Sequence, residues 1–337
     1  MKTKNTKVVL VLGFAFILSS MLITSCKKTS NNSGTTGPVV PTNPGGYDSA
    51  NQIQPASLIA YFPFNGSFND TKQGLVATNT GATFATGIKG QGYQGNGSSY
   101  LVVPFGSSAS IFSGTNFQSF TVSMWINEPQ EPIYATNGTY TPGQGPEGLL
   151  FMYDTAHHQD LLHFDIEPYA QSTQDTMSLN SGFTATGLTT TGPYAGATVG
   201  GTEGVIPNAR LDTAVNKWTQ VVETYDAASS NYTLYENGTA VFVNSAWSTY
   251  KTGPSPVQIL TGGIGATGSV PLGPLNYTPA PTGLVIGAWC GTAMVGGFTP
   301  NQYTGSFKGV MDELRIYKTA LSATDVKSLY ILEKAGL

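Results

Sequence analysis

The sequence predicts an all-β protein built as a two-sheet antiparallel sandwich, and three observations support that reading. Short runs of alternating, β-branched and aromatic residues recur from residue 57 to residue 318, separated by Gly-, Asn-, Pro- and Ser-rich turns. Asn237-Gly238 stands between YTLYE and TAVFV, the strongest short-range hairpin signal. Helical periodicity is convincing only after Ser322. Many strands in succession, with no helices between them, leave sheet-on-sheet packing as the way to bury their apolar faces.

Strands are expected near 57–64, 99–104, 118–127, 148–154, 160–167, 217–225, 231–236, 239–244, 283–289 and 305–318. In the run 120–126, Phe120, Val122, Met124 and Ile126 share one face, with Thr121, Ser123 and Trp125 on the other. Alternation in the last strand places Val310, Asp312, Leu314 and Ile316 together, opposite Met311, Glu313, Arg315 and Tyr317. On that pattern Asp312 is a carboxylate on an apolar face. Burying it bare is very costly, so it must be neutralised, hydrogen-bonded or metal-bound. Ser322, with Asp325 three residues on, is a variant capping box for a terminal helix whose buried stripe is Val326, Leu329, Tyr330 and Leu332. The long Gly/Thr/Pro-rich stretches 128–147, 168–212 and 245–282 are expected to be loop insertions, where recognition would concentrate.

Residues 1–25 have the pattern of a signal peptide: Lys2, Lys4 and Lys7 precede an apolar run from Val8 to Leu22 that is short for a membrane span. The ITSC at 23–26 looks like a bacterial lipobox, which makes Cys26 the expected lipidation site. Residues 26–54 are expected to form a flexible tether, and 55–337 the folded domain. Charged residues are only 10% of the chain, and the net charge is −4 without a basic cluster in the mature domain, which excludes nucleic acid as a partner. With Cys26 lipidated, Cys290 is the one remaining thiol, so no internal disulfide is expected.

Seven segments carry a resemblance to a known family. They are LIAYFPFNGSFNDTKQG (58–74), SYLVVP (99–104), SFTVSMWI (119–126), KWTQVVETYD (217–226), YTLYENG (232–238), GLVIGAW (283–289) and FKGVMDELRIYKTALSATDVKSLY (307–330). Their ordered set, within 57–332, resembles the laminin-G-like, concanavalin-A-like lectin/glucanase family. That family ends in a G-x-x-D-E-x-R-I-Y strand, an x-x-A-L-S link and a terminal helix. The resemblance implies a jelly-roll sandwich with a short C-terminal helix and with its first and last strands as neighbours. It also implies a structural calcium ion held by Asp70, Asp312 and nearby carbonyls, a donor set suited to calcium. TKQG stands here where the family often has S-G-x-G.

The same family includes laminarinase-type hydrolases with paired carboxylates on one strand face. The nearest match is HFDIEP (163–168), where Asp165 and Glu167 are correctly spaced but His163 replaces the leading glutamate. The catalytic motif is incomplete, so a non-catalytic protein is expected. His157, His158 and His163 are the only histidines, too few on one face to argue for a metal. Sugar recognition needs aromatic rings beside hydrogen-bonding groups, and Trp247, Tyr250 and Trp289 are the candidates. The function expected is a lipid-anchored, lectin-like domain at the outer membrane, on its periplasmic or cell-surface side, binding glycans. The alternatives are an envelope protein-interaction module and a laminarinase-type hydrolase.

Overall fold

A computed structural model describes residues 39–129, 146–154, 161–167, 177–183, 199–200, 210–211, 214–229, 231–244, 249–251, 269–271, 273–275, 277, 279–295 and 304–337. Two large sheets face each other. The first is centred on β6 (Phe120–Asn127), with β12 (Thr219–Asp226) on one side and β19 (Val310–Tyr317) on the other. Beyond β12 lie β13 (Asn231–Glu236) and β14 (Thr239–Asn244). Beyond β19 lie β4 (Gln91–Gln94) and β3 (Thr83–Thr86), with β1 (Leu58–Phe62) also paired to β19. The expected adjacency of the first and last long strands is present, with Tyr61 opposite Arg315 and Phe62 opposite Leu314.

The second sheet runs β10 (Val199–Gly200), β9 (Met177–Phe183), β8 (Leu162–Glu167), β7 (Glu147–Tyr153), β17 (Gly283–Ile286), β5 (Tyr100–Pro104) and β2 (Thr78–Thr80). β11 (Arg210–Leu211) pairs with β9, and β18 (Gly305–Ser306) runs parallel to β7; every other pairing is antiparallel. A separate ribbon joins β15 (Thr249–Lys251) to β16 (Ser269–Pro271). The architecture is an antiparallel β-sandwich with one α-helix, α1 (Ala323–Lys334), among the described residues.

Between the sheets lies a core that includes Phe62, Leu101, Phe120, Val122, Leu150, Phe164, Leu284, Ile286, Leu314 and Ile316. The outer face of the first sheet carries a second cluster, where Val222, Tyr235 and Tyr317 meet Val326, Leu329 and Leu332 of α1. The Ser322 hydroxyl accepts from the Asp325 amide at 3.1 Å and donates to its carboxylate at 2.9 Å, so the helix starts where its cap predicts. Asn237 and Gly238 have φ of 51° and 70°, the left-handed pair a type I′ hairpin turn requires.

Two expectations change. Residues 43–53, expected in the tether, pack against α1: Gly45 N–H donates to Ser328 Oγ at 2.9 Å and Tyr47 OH to Asp325 at 2.7 Å. Ala50 and Ile53 are buried in the same cluster, which gives this segment an apolar anchor that its Gly/Pro-rich flank conceals.

The second change concerns β19. Opposite Ser123 and Trp125, this strand advances from Asp312 to Arg315, one residue more than its partner, and Glu313 takes up the excess at φ 51°. A bulge reverses the phase of alternation. Asp312 therefore faces outward with Trp125 and Arg315, while Met311, Leu314 and Ile316 point into the core. The four-residue face Val310–Asp312–Leu314–Ile316 does not exist.

Candidate functional site

The outer face of the second sheet gathers rings and polar groups in rows that the strand register defines. Val285, Phe151, His163 and Gly182 are successive partners across β17, β7, β8 and β9. One row on, Ser306, Gly148, Asp165 and Asn180 are successive partners across β18, β7, β8 and β9. Leu150, Met152, Leu162, Phe164 and Ile166 belong to the core, so the alternate residues Phe151, His163 and Asp165 look outward.

Trp289 completes this face. Gly287, at φ 81°, turns the chain out of β17, and its N–H bonds Leu149 O at 2.9 Å. Ala288 then bridges to Ser306, and the 288–289 backbone lies so close to Gly148 that a Cβ there would meet Ala288 C at 2.3 Å. The indole packs on Phe151 with centroids 4.5 Å apart, and His163 lies at 5.3 Å from Phe151 and 6.1 Å from Trp289. His163 Nε2 is 3.8 Å from Asp165 Oδ1.

Three buried polar atoms here have no hydrogen-bond partner among the described residues: Trp289 Nε1, Ser306 Oγ and Thr292 Oγ1. Each such atom costs about 1–3 kcal/mol unless something satisfies it. Cys290, next to Trp289, is fully buried, and burial pushes its thiol far above the usual range, so it acts as packing and not as a nucleophile.

Of the three ligand candidates read from the sequence, Trp289 sits in this cluster. Tyr250 lies in β15 away from it in the sheet topology, and Trp247 lies outside the described residues, as do His157, His158 and Cys26. Phe151 and Ser306 were not singled out beforehand. Their signal is register, which becomes readable only once the strand pairing is known.

Asp70 and Asp312 serve different segments. The Asp70 carboxylate accepts four main-chain amides, from Tyr61 (2.6 Å), Lys72 (2.9 Å), Gln73 (2.6 Å) and Leu75 (3.4 Å). Asp312 accepts from the amides of Lys89 and Glu313 at 2.9 and 2.8 Å. Burial raises its pKa to about 7, against the pull of those two amides. A calcium site needs converging oxygens, whereas both carboxylates are faced by N–H donors. No group of three acidic, histidine or cysteine side chains suited to a metal occurs among the described residues. The residues present do not fit the ion. Chelator is expected to leave the melting temperature unchanged, while Asp70→Ala costs about 3 kcal/mol by stripping the turn of its acceptor. A melting temperature that falls on chelation would restore the calcium reading.

Under α1, a buried charged network occupies the outer face of the first sheet. Arg315 Nε donates to Glu333 at 2.7 Å, Nη2 to Glu313 at 2.9 Å, and Nη1 to Asn51 at 3.0 Å. Its guanidinium lies 3.8 Å above the Tyr61 ring, and Tyr61 OH donates to Glu313 at 2.8 Å. Trp125 Nε1 and Gln220 Nε2 donate to the other Glu333 oxygen at 2.8 and 3.0 Å. Trp125, fully buried, is thus a helix-docking residue and not a sugar platform.

The two facing sheets define this protein as an antiparallel β-sandwich whose second sheet carries a buried cluster of rings and polar groups on its outer side. No family model matches the chain, and no curated protein matches it. Among solved structures, it is similar to domain 4 of AbnA, a GH43 extracellular arabinanase from Geobacillus stearothermophilus in complex with arabinotriose. The identity is 17%, covering 81% of this chain and 98% of that one, with a TM-score of 0.44. The receptor-binding domain of botulinum neurotoxin C/D mosaic serotype matches at 11% identity over 82% of this chain and 51% of that one, TM-score 0.46. A mutant Trypanosoma rangeli sialidase displaying trans-sialidase activity matches at 12% identity over 85% and 34%, TM-score 0.45. These likenesses are too distant to carry a functional argument.

Proposed function

We propose that this is a lipid-anchored, non-catalytic glycan-recognition domain of laminin-G-like, concanavalin-A-like kind, held at the outer membrane through Cys26. The observation that carries the reading is Trp289, packed at a tilt on the buried Phe151, whose buried indole N–H lacks an acceptor among the described residues. A sugar offers both things this position wants, an apolar C–H face for the rings and an oxygen for the N–H. The hydrolase reading is weaker: Asp165 and Glu167 keep the required spacing in β8, but His163 fills the leading position and stacks on Phe151. A protein-docking module is also weaker. The large exposed apolar side chains among the described residues, Val39, Val40, Val76, Val241 and Met294, fall on four stretches of sequence far apart in the chain.

The test is a glycan array probed with the full chain in detergent, beside membrane fractionation of Cys26→Ala. Binding to at least one glycan class is expected, and the variant is expected to move to the soluble fraction. An array blank across plant, algal and host glycans removes the glycan reading, and a variant that stays on membranes removes the anchor.

A further inference from the structure

Independently of the glycan reading, we propose that residues 43–57 and 318–337 form one hinged latch, which lifts from the outer face of the first sheet as a unit while the sandwich stays folded. Its two hinges lie side by side. The chain enters the sheet at Leu58 and leaves it at Tyr317, which are register partners, and Lys318 N–H donates to Ser57 O at 2.8 Å. A single line of bending therefore serves both segments.

The two segments hold each other. Gly45 N–H donates to Ser328 Oγ, and Ala50 N–H reaches Leu337 O at 3.4 Å. Asp325 accepts both from Tyr47 OH and from the Ser322 hydroxyl that caps the helix. Docking of the first segment thus reinforces the start of α1. Gly45 leaves no room for slack here, since a Cβ at this position would meet Ser328 Oγ at 2.9 Å.

Contact with the sheet is of a different kind. Val326, Leu329 and Leu332 lie on Val222, Tyr235 and Tyr317, but the same face binds Glu333 and Asn51 through Arg315. Thr121 pins the link before the helix: its hydroxyl donates to Thr319 O and accepts Leu321 N–H, each at 2.8 Å. Two buried polar atoms of this face, Ser123 Oγ and Gln220 Oε1, have no hydrogen-bond partner among the described residues. Ser123 is the register partner of Val222 and Arg315, and Gln220 that of Trp125, so both lie on the face that α1 covers. Lifting admits water to these atoms and to the charges of Arg315, Glu313 and Glu333. It also frees Gln54, a non-glycine residue held at φ 43° beside the hinge. Apolar burial closes the latch against this polar cost. The ladders joining β6 to β12 and β19 contain none of its residues and do not depend on it.

Hydrogen exchange of the full chain in detergent, read by mass spectrometry, measures the opening. Amides of 43–53 and of α1 are expected to share one opening, with protection at least about tenfold below that of β6 and β12. Two substitutions test the unity. Asn51→Ala, in the first segment, removes the acceptor of Arg315 Nη1 and is expected to lower protection in α1 about tenfold. Thr121→Val, on the sheet, releases the link at 319–321 and is expected to lower protection in 43–53 by a similar factor. Both leave β7 and β17 unchanged. If Thr121→Val does not fold, the wild-type exchange and Asn51→Ala still decide.

Amides of α1 protected as strongly as those of β6 overturn the latch, because the helix then leaves only with global unfolding. Either substitution felt in one segment alone overturns the shared opening. Protection lost in β7 and β17 as well shows the sandwich opening too, and overturns the proposal.

Discussion

Arg315→Ala is expected to lower the folding free energy by about 3–5 kcal/mol, measured by urea denaturation, the usual cost of removing one partner from a buried ion pair. The reason lies in what remains. Arg315 is the one cation among Glu313, Glu333 and Asp312, and all four side chains are fully buried. Without it, Glu333 keeps only Trp125 and Gln220, and Glu313 keeps only Tyr61 among the bonds described above. Burial already pushes Glu333 up toward about 7, opposed chiefly by Arg315, and the guanidinium itself is held protonated by the surrounding carboxylates. Combining Arg315→Met with Glu313→Gln and Glu333→Gln is expected to recover much of the loss, because the penalty comes from unpaired charge more than from lost contact. A single-variant cost below about 1 kcal/mol would show that α1 docks by apolar burial alone.

Glu223→Gln is expected to flatten the dependence of stability on pH. Glu223 lies on β12 with the inward-facing residues Val221 and Tyr225, directed at Ser181 of the opposite sheet and at Tyr232, whose hydroxyls are 2.9 Å apart. Burial raises its pKa to about 8, partly offset by those two hydroxyls, so the folded protein holds a proton that the unfolded chain releases near pH 4. Stability from this group is complete below pH about 4 and declines as pH rises, by up to about 1.4 kcal/mol per unit, until Glu223 ionises near 8. The total is on the order of 5 kcal/mol. Asp312 and Glu333, each raised to about 7, push in the same direction and finish sooner. Denaturation at pH 5, 6.5 and 8 is expected to show the wild type losing stability over both intervals, with Glu223→Gln losing clearly less. Parallel curves for the two proteins would mean that Glu223 is not the group responsible.

Where local chemistry has one solution, the sequence was readable. Asn237-Gly238 demands a tight hairpin, Ser322 with Asp325 demands a helix start, and alternation in 120–126 separates the core residues from Trp125. The pairing of Leu58–Phe62 with the last strand followed from the family resemblance, not from any property of either segment alone. Asp312 was misplaced because period-2 reading assumes an uninterrupted strand, and one extra residue at Glu313 inverts every face beyond it. Asp70 misled for a different reason: an aspartate in a turn can hold a cation or cap amides, and only the surrounding N–H groups distinguish the two. The strands Thr78–Thr80 and Thr83–Thr86 escaped notice because they are short, largely exposed and polar, which leaves no apolar alternation to detect.

The segment clasped by α1 has a geometric consequence. Gly45 is held on the helix side of the first sheet, while the buried rings of Phe151, His163 and Trp289 lie on the outer side of the second, with the core between. Anchored through Cys26 as proposed, the domain would be pulled upon at its helix face, so a tug on the lipid would first strain the bonds of Gly45 and Tyr47 to α1.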